Sequence, residues 1–239
     1  MLVVNDLSRS FGSLTVVDNL STTVDGGTCL GIMGPNGAGK STFFDLLTGV
    51  TLPDNGTIIV DGQAIDQMPV ESRVGHGIAR AFQVPKPFGS MTVREHLVLA
   101  AIAGAGLGFK DASQRADEVL EKTGLSVLHN ATGNQLRLLD RKRLELAKAL
   151  ATAPKVLLLD EISGGLSEHE VAELITLVAS LKKPGLAILW IEHIAHALNA
   201  VCDRILMLHL GQKIIEDAPD VVSQDERVRA LYLGSVTHA

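Results

Sequence analysis

The stretch GIMGPNGAGKST, residues 31–42, limits the possible folds of this chain more than any other segment. It follows the apolar run Cys29–Ile32 and combines Gly34, four further residues, Gly39, Lys40 and Ser41, the G-x-x-x-x-G-K-[ST] pattern of a strand, a tight loop and a helix. Glycines let backbone N–H groups turn inward around an anion, and a helix starting near Lys40 adds its positive dipole end. Pro35, Asn36, Gly37 and Ala38 complete the loop, and Thr42 continues the helix. Lys40 is placed to bridge the β- and γ-phosphates, and the Ser41 hydroxyl to ligate Mg²⁺. The expected ligand of residues 34–42 is therefore ATP or a similar triphosphate with Mg²⁺. A bare glycine-rich turn would rarely carry Lys and Ser at these positions.

The remaining pattern fits such a loop into an α/β fold. LVV, TTV, TCLGIM and GTIIVDG make the first quarter strand-rich, and the Asp-Gly pair at Asp61 suits a hairpin. From Thr92 to Leu150 the pattern is helical, with Thr92 and Glu95 spaced as a capping box and Gly124 placed to stop a second helix. KVLLLDE and LAILWIEH then read as strands covered on both faces, alternating with EHEVAELITLVASLKK and AHALNAVCD as helices. A hairpin over RILMLHLGQKII and a polar helix near QDERVRALYL end the chain.

Bulk properties exclude some function classes. A net charge of −6 and 3% aromatic residues argue against a nucleic-acid partner. LVLAAIAGAGLGF, residues 97–109, is the longest uncharged apolar run, but it is broken by glycines and falls short of the about 20 residues a membrane span needs. It reads as a buried helix and a turn. The N-terminus lacks a basic segment followed by a long apolar one, so the expectation is a soluble protein of the cytosol. Cys29 and Cys202 have no metal-site spacing, suit a reducing compartment and read as small buried residues.

Hydrolytic chemistry is suggested by the acid pair in VLLLDE. Asp160 ends an apolar strand, where it can hold Mg²⁺ through water, and Glu161 follows, where it can polarise an attacking water. Gln83, after a strand-like segment, can reach the metal and the water with its amide; His193, closing the next strand, can touch the γ-phosphate. Each alone fits a surface residue. Their joint occurrence in this order favours catalysis by Glu161, His193 and Gln83, with Ser41, Gln83 and Asp160 toward the metal.

GPNGAGKST, Gln83, VLLLDE and His193 together resemble the nucleotide-binding subunit of an ATP-binding cassette transporter, over nearly the whole chain. The resemblance implies one cassette over 1–239: a P-loop NTPase RecA-like core with an N-terminal antiparallel β-subdomain over 1–87 and 151–239, and a helical subdomain inserted at 88–150. It implies head-to-tail pairing with a second ATPase subunit, docking on transmembrane permease subunits, and a peripheral place on the inner face of the cell membrane. Longer stretches, among them GIARAFQVPKPFGSMTVREHL, RLELAKALATAPKVLLLDE and CDRILMLHLGQKIIEDAPDVV followed by ALYLG, are similar to the ATPases of branched-chain amino-acid importers. That group also handles urea, amides and related solutes, and its cargo is selected by a periplasmic solute-binding protein and the membrane subunits. The resemblance assigns Phe11 to the aromatic that stacks on adenine, although its own pattern suits a core Phe equally. It assigns Gln83 and the residues up to Arg94 to the surface that meets the membrane subunit. Lys86 and Phe88 fit plain solvent exposure as well.

Residues 136–140, LRLLD, depart from that pattern. They stand where such ATPases carry LSGGQ, so Arg137 replaces the Ser, Leu138 and Leu139 the glycines, and Asp140 the Gln. Two leucines block close backbone approach to a γ-phosphate and supply no donor. The expectation is a chain that holds ATP well but offers its partner's ATP a poor face, which favours a heterodimer over a homodimer. In a second version Arg137 itself reaches that phosphate. Read from the residues alone, the segment is an amphipathic helix with Asp140 as a late N-cap, Leu139, Leu146 and Leu150 near one another, and Arg141, Lys142 and Arg143 on the surface. Ile162, in place of a Pro, is expected to alter loop stiffness only, and Ser167, in place of an Asp or Asn, to weaken contact across the dimer. A cassette serving a soluble machine, or a regulatory module that hydrolyses weakly, are the rival readings.

Overall fold

The computed structural model describes residues 1–233. Two sheets organise the chain. Strands β1 (Leu2–Phe11), β2 (Leu14–Val24), β4 (Asn55–Val60) and β5 (Gln63–Ala64) form an antiparallel sheet in the order β2-β1-β4-β5. The second sheet contains β3 (Cys29–Met33), β6 (Ile78–Ala81), β7 (Val156–Asp160), β8 (Ala187–Ile191), β9 (Arg204–His209) and β10 (Gln212–Asp217), in the order β10-β9-β3-β8-β7-β6. All its neighbours run parallel except the terminal hairpin β9–β10.

The apolar runs of β7 and β8 are continuous because their alternate residues feed different cores. Leu157, Leu159, Ile188 and Trp190 pack on the side of the later helices. Val156, Leu158, Leu189 and Ile191 face Phe43 and Phe44 and the residues of the first sheet. A strand buried on both faces loses the period-2 alternation and reads as an unbroken apolar block.

Helix α1 (Lys40–Thr48) leaves β3 through the glycine loop, and α2 (Val70–Gly75) precedes β6. Helices α3 (Val93–Ala105), α4 (Phe109–Thr123) and α5 (Leu138–Ala151) lie between β6 and β7 in the chain and pack on one another. Helices α6 (Glu168–Leu181) and α7 (Ala195–Val201) connect β7, β8 and β9, and α8 (Pro219–Gln224) and α9 (Glu226–Leu233) follow β10. The Thr92–Glu95 capping box opens α3, and Gly124 closes α4 with φ of 70°. Residues 97–109 are not a wholly buried helix: α3 buries Leu97, Val98 and Ala101 but exposes Leu99 and Ile102. The similarity run at 230–234 ends at Gly234, outside the described residues.

Several expectations change. β1 and β2 are far longer than the short runs LVV and TTV, because register shifts near Asp6 and Asn19, both with positive φ, interrupt the alternation. Asp61 and Gly62, at φ of 48° and 82°, do turn β4 into β5. α5 begins at Leu138 with Arg137 as N-cap, so Asp140 is not a cap; it sits inside the first turn, 3.9 Å from Arg143. Leu139, Leu146 and Leu150 are buried, but Lys142 is not on the surface. It is 3% exposed, since its ammonium donates to the Gln83 carbonyl across the gap between α5 and the segment after β6. Cys29 and Cys202 are both buried, and their Sγ atoms, remote in sequence, lie 3.3 Å apart.

The Thr92 cap satisfies orphan donors of α3 and fixes where this helix starts, so Thr92→Ala should lower stability by about 1 kcal/mol. Thermal unfolding should register this as a fall in Tm of about 2–4 °C.

Candidate nucleotide site

The loop between β3 and α1 is held where the two sheets meet. A Cβ added at Gly34 would lie 2.3 Å from the Leu208 carbonyl oxygen on β9, and one at Gly39 would lie 2.4 Å from the Val16 oxygen on β2. Gly39 also has φ of 98°, a left-handed conformation that side chains resist. The loop borders a cavity of about 340 Å³, lined by Val16, residues 36–42 and Glu161. Asn36, Gly37 and Ser41 are exposed to it, while Ala38, Gly39 and Lys40 are buried.

Lys40 is drawn back into its own loop, donating to the Gly34 carbonyl at 2.7 Å and the Pro35 carbonyl at 3.0 Å. Burial pushes its pKa below the usual lysine value, opposed by the charges of Glu161 and Asp160. A partly desolvated ammonium with two borrowed carbonyl partners has more to gain from a phosphate than a hydrated one. The loop therefore fits a polyphosphate: a glycine-rich turn, a helix start and a poised cation. Among the described residues no group of three or more His, Cys, Asp or Glu could cage a metal ion. A site sharing Mg²⁺ with phosphates needs few protein oxygens, such as those of Ser41 and Asp160, so the donor set fits that cation.

Asp160 ends β7 with 8% of its surface exposed. Its Oδ2 accepts a hydrogen bond of 2.5 Å from Arg80, which also pairs with Asp45 Oδ1 at 2.7 Å. Glu161 follows at φ of 44°, turning its side chain out of the strand direction. Two expected residues converge on it: Gln83 Nε2 donates to Oε2 at 2.5 Å, and His193 Nε2 lies 2.7 Å from Oε1. The imidazole donates there, because an ionised carboxylate only accepts. Gln83 thus meets Glu161, and among the described residues its amide makes no hydrogen bond to Asp160. Phe11 ends β1 and is 48% exposed, so it is no core residue; Arg9 stacks on its ring at 4.8 Å. It does not line the cavity, which Val16 bounds instead.

Three supporting residues had no signal in a motif. Glu192, buried beside Trp190, accepts from the Ser163 amide at 2.9 Å and the His193 amide at 3.3 Å, tying the loop after Glu161 to His193. Lys142 fastens α5 to the Gln83 carbonyl, and Glu145 on the same helix accepts from the Lys86 amide at 2.9 Å. Arg80 had one legible sign: a charged residue inside the otherwise buried strand pattern IARA needs a buried counter-charge. Lys86 and Phe88 are exposed, with the Phe88 ring 5.8 Å from that of His96. Ser167 is the N-cap of α6, donating to Glu170 at 2.7 Å, so its hydroxyl already has an internal partner. Leu138 is 42% exposed at the start of α5 and packs toward Gly165.

The two loop glycines with and without neighbours give a direct contrast. Gly34→Ala must displace a strand carbonyl and should lower stability by more than about 2 kcal/mol. Gly37, at φ of 78° with open space around it, should lose only about 1 kcal/mol as Gly37→Ala. Urea unfolding of both variants measures the difference.

Comparison with known proteins agrees with this geometry. The ABC transporter family profile matches residues 17–164. The lipopolysaccharide export system ATP-binding protein LptB of Haemophilus influenzae is 33% identical over 98% of this chain and 97% of its own length. The high-affinity branched-chain amino acid transport ATP-binding protein LivG of Escherichia coli is 32% identical over 98% of both. The solved ADP conformation of an ATP-binding cassette of an ABC transporter superposes with a TM-score of 0.88 at 28% identity, over 98% of each chain. Among the described residues no helix is long and apolar enough to cross a membrane. ATPase subunits of this kind dimerise and work with transmembrane permease components. The chain belongs to the ABC transporter family and is its ATP-binding subunit, an ATPase that uses ATP with Mg²⁺.

Proposed function

We propose that this chain powers the import of branched-chain amino acids or related small polar solutes, from the inner face of the cell membrane. Its core spans 1–87 and 151–239, with the helical subdomain at 88–150. The meeting of Gln83 and His193 on Glu161, beside the glycine loop, is the observation that carries the ATPase chemistry. In this reading residues 34–42 hold the phosphates, with Lys40 exchanging its loop carbonyls for β- and γ-oxygens. Ser41, Asp160 and Gln83 would hold the metal, and Phe11 would pack on adenine. When bound, Mg²⁺ neutralises charge on the β- and γ-phosphates. Glu161 takes up the proton of the attacking water once Gln83 and His193 release it, and His193 turns to the γ-phosphate.

The similarity to LivG and the Liv-like stretches around Gln83 and β9–β10 support import. A lipid-export role is favoured by the comparable identity with LptB. Reconstitution with transmembrane permease subunits that bind this chain, followed by uptake of labelled leucine, separates the two: ATP-dependent uptake supports import, and its absence alongside ATP-driven lipid extraction supports export. The docking surface for these subunits is the segment from Gln83 to Arg94, with the solute-binding protein engaged only through them.

The start of α5 supports a heterodimer. Arg137 caps it without a side-chain hydrogen bond, and Leu138 stands exposed where a partner's γ-phosphate would approach. Loss of one preorganised donor removes about 3–4 kcal/mol of transition-state stabilisation, hundreds-fold to about a thousandfold in rate. The ATP facing this α5 should turn over slowly, and the ATP held by this chain, closed by a partner with an intact signature, at full speed. Glu161→Gln should lower kcat at the latter site at least about a hundredfold while Mg-ATP binding persists. Single-turnover measurements on the reconstituted pair should resolve two rates; equal rates would contradict the heterodimer reading. Arg137→Ala should leave the slow rate unchanged unless Arg137 itself contacts the phosphate.

A further inference from the structure

Arg80 is a half-buried cation that the chemistry above does not use. It extends from β6 between Asp45 on α1 and Asp160 at the end of β7, at 2.7 and 2.5 Å. Its guanidinium carbon lies over two rings, 5.6 Å from the Phe44 centroid and 5.0 Å from that of Phe82. Phe44 is fully buried. Phe82 is exposed and lines a second, larger cavity of about 780 Å³, whose wall also includes Val70, Arg80, Gln83 and Asp160. Among the described residues the other oxygen of Asp160, Oδ1, has no hydrogen-bond partner. One carboxylate oxygen is tied to a cation and the other is left for a ligand.

We propose that Arg80, steadied by the Phe82 ring, is a positioning residue that competes with magnesium for Asp160, so setting how much magnesium the nucleotide site requires. The proposal rests on the assignment of Asp160 to the metal. Its direction follows from the relative size of two effects. A guanidinium on Asp160 neutralises the charge that attracts a divalent cation and repels that cation directly. Its opposing benefit, fixing one short side chain, is limited to the small rotamer entropy of an Asp. The electrostatic effect is larger, so removing the cation tightens magnesium binding. Asp45 acts in the opposite sense, because it holds part of the guanidinium charge away from Asp160.

Magnesium titration of the full chain with the fluorescent analogue TNP-ATP tests this as a binding measurement, without turnover. Arg80→Met should lower the magnesium midpoint at least about fivefold, and Arg80→Lys should return it close to the parent value. Asp45→Asn should raise the midpoint, and in the Arg80→Met background it should lose most of that effect. Nucleotide affinity in EDTA should stay within about twofold throughout. Phe82→Ala should shift the midpoint in the direction of Arg80→Met, whereas Val70→Ala, on the same cavity wall, should not. General loosening of the fold would not give opposite signs for Arg80 and Asp45. An unchanged or raised midpoint in Arg80→Met overturns the proposal, and a parent-like Phe82→Ala overturns the part given to the Phe82 ring. An Asp160→Asn chain that titrates like the parent would instead overturn the metal assignment beneath it. Should Arg80→Met fail to fold, Arg80→Gln and Asp45→Asn carry the same test.

Discussion

Two glycines pressed against strand carbonyls hold this molecule together around its ligand. Gly34 meets β9 through Leu208 and Gly39 meets β2 through Val16, so the loop between them is gripped by both sheets at once. The hydrogen bonds from the Gly211 amide to Ala38 and from the Asp18 amide to Gly211 continue that contact from one sheet to the other. No side chain larger than hydrogen fits either contact without moving a strand. The position of the loop is thus a consequence of sheet packing.

Around that loop the charges are arranged as paired restraints. Lys40 is occupied by its own carbonyls, Asp160 by Arg80, and Glu161 by Gln83 and His193. Each of these groups has at least one partner within the chain, although Arg80 Nε and Asp160 Oδ1 have none among the described residues. In the proposed reading, a bound triphosphate exchanges these partners. The exchange runs through residues that also hold α5 and the segment after β6, since Lys142 on α5 fastens the Gln83 backbone and Glu145 fastens Lys86. A change at the acid pair is therefore a change in how α5 sits against the core.

What the sequence disclosed followed from local rules. The glycine loop, the apolar strands ending in Asp160 and the Thr92 and Gly124 helix boundaries each rest on neighbours within a few residues, and all are legible. Lys142, Arg80 and Glu192 rest on partners 59, 80 and 29 residues away, and a charged side chain carries no mark of where its partner lies. β1 and β2 look short in the sequence for a related reason: bulges at Asp6 and Asn19 break the period-2 alternation. Gln83 and His193 were found through their order along the chain, and their shared attachment to Glu161 needed three dimensions.

The central claim is that the glycine loop, with Lys40 folded into it, grips ATP. Equilibrium retention of radiolabelled ATP by the purified chain in magnesium, compared with Lys40→Ala, addresses it most directly. The account predicts stoichiometric retention by the parent and its loss in the variant; equal retention by both, or by neither, would contradict it.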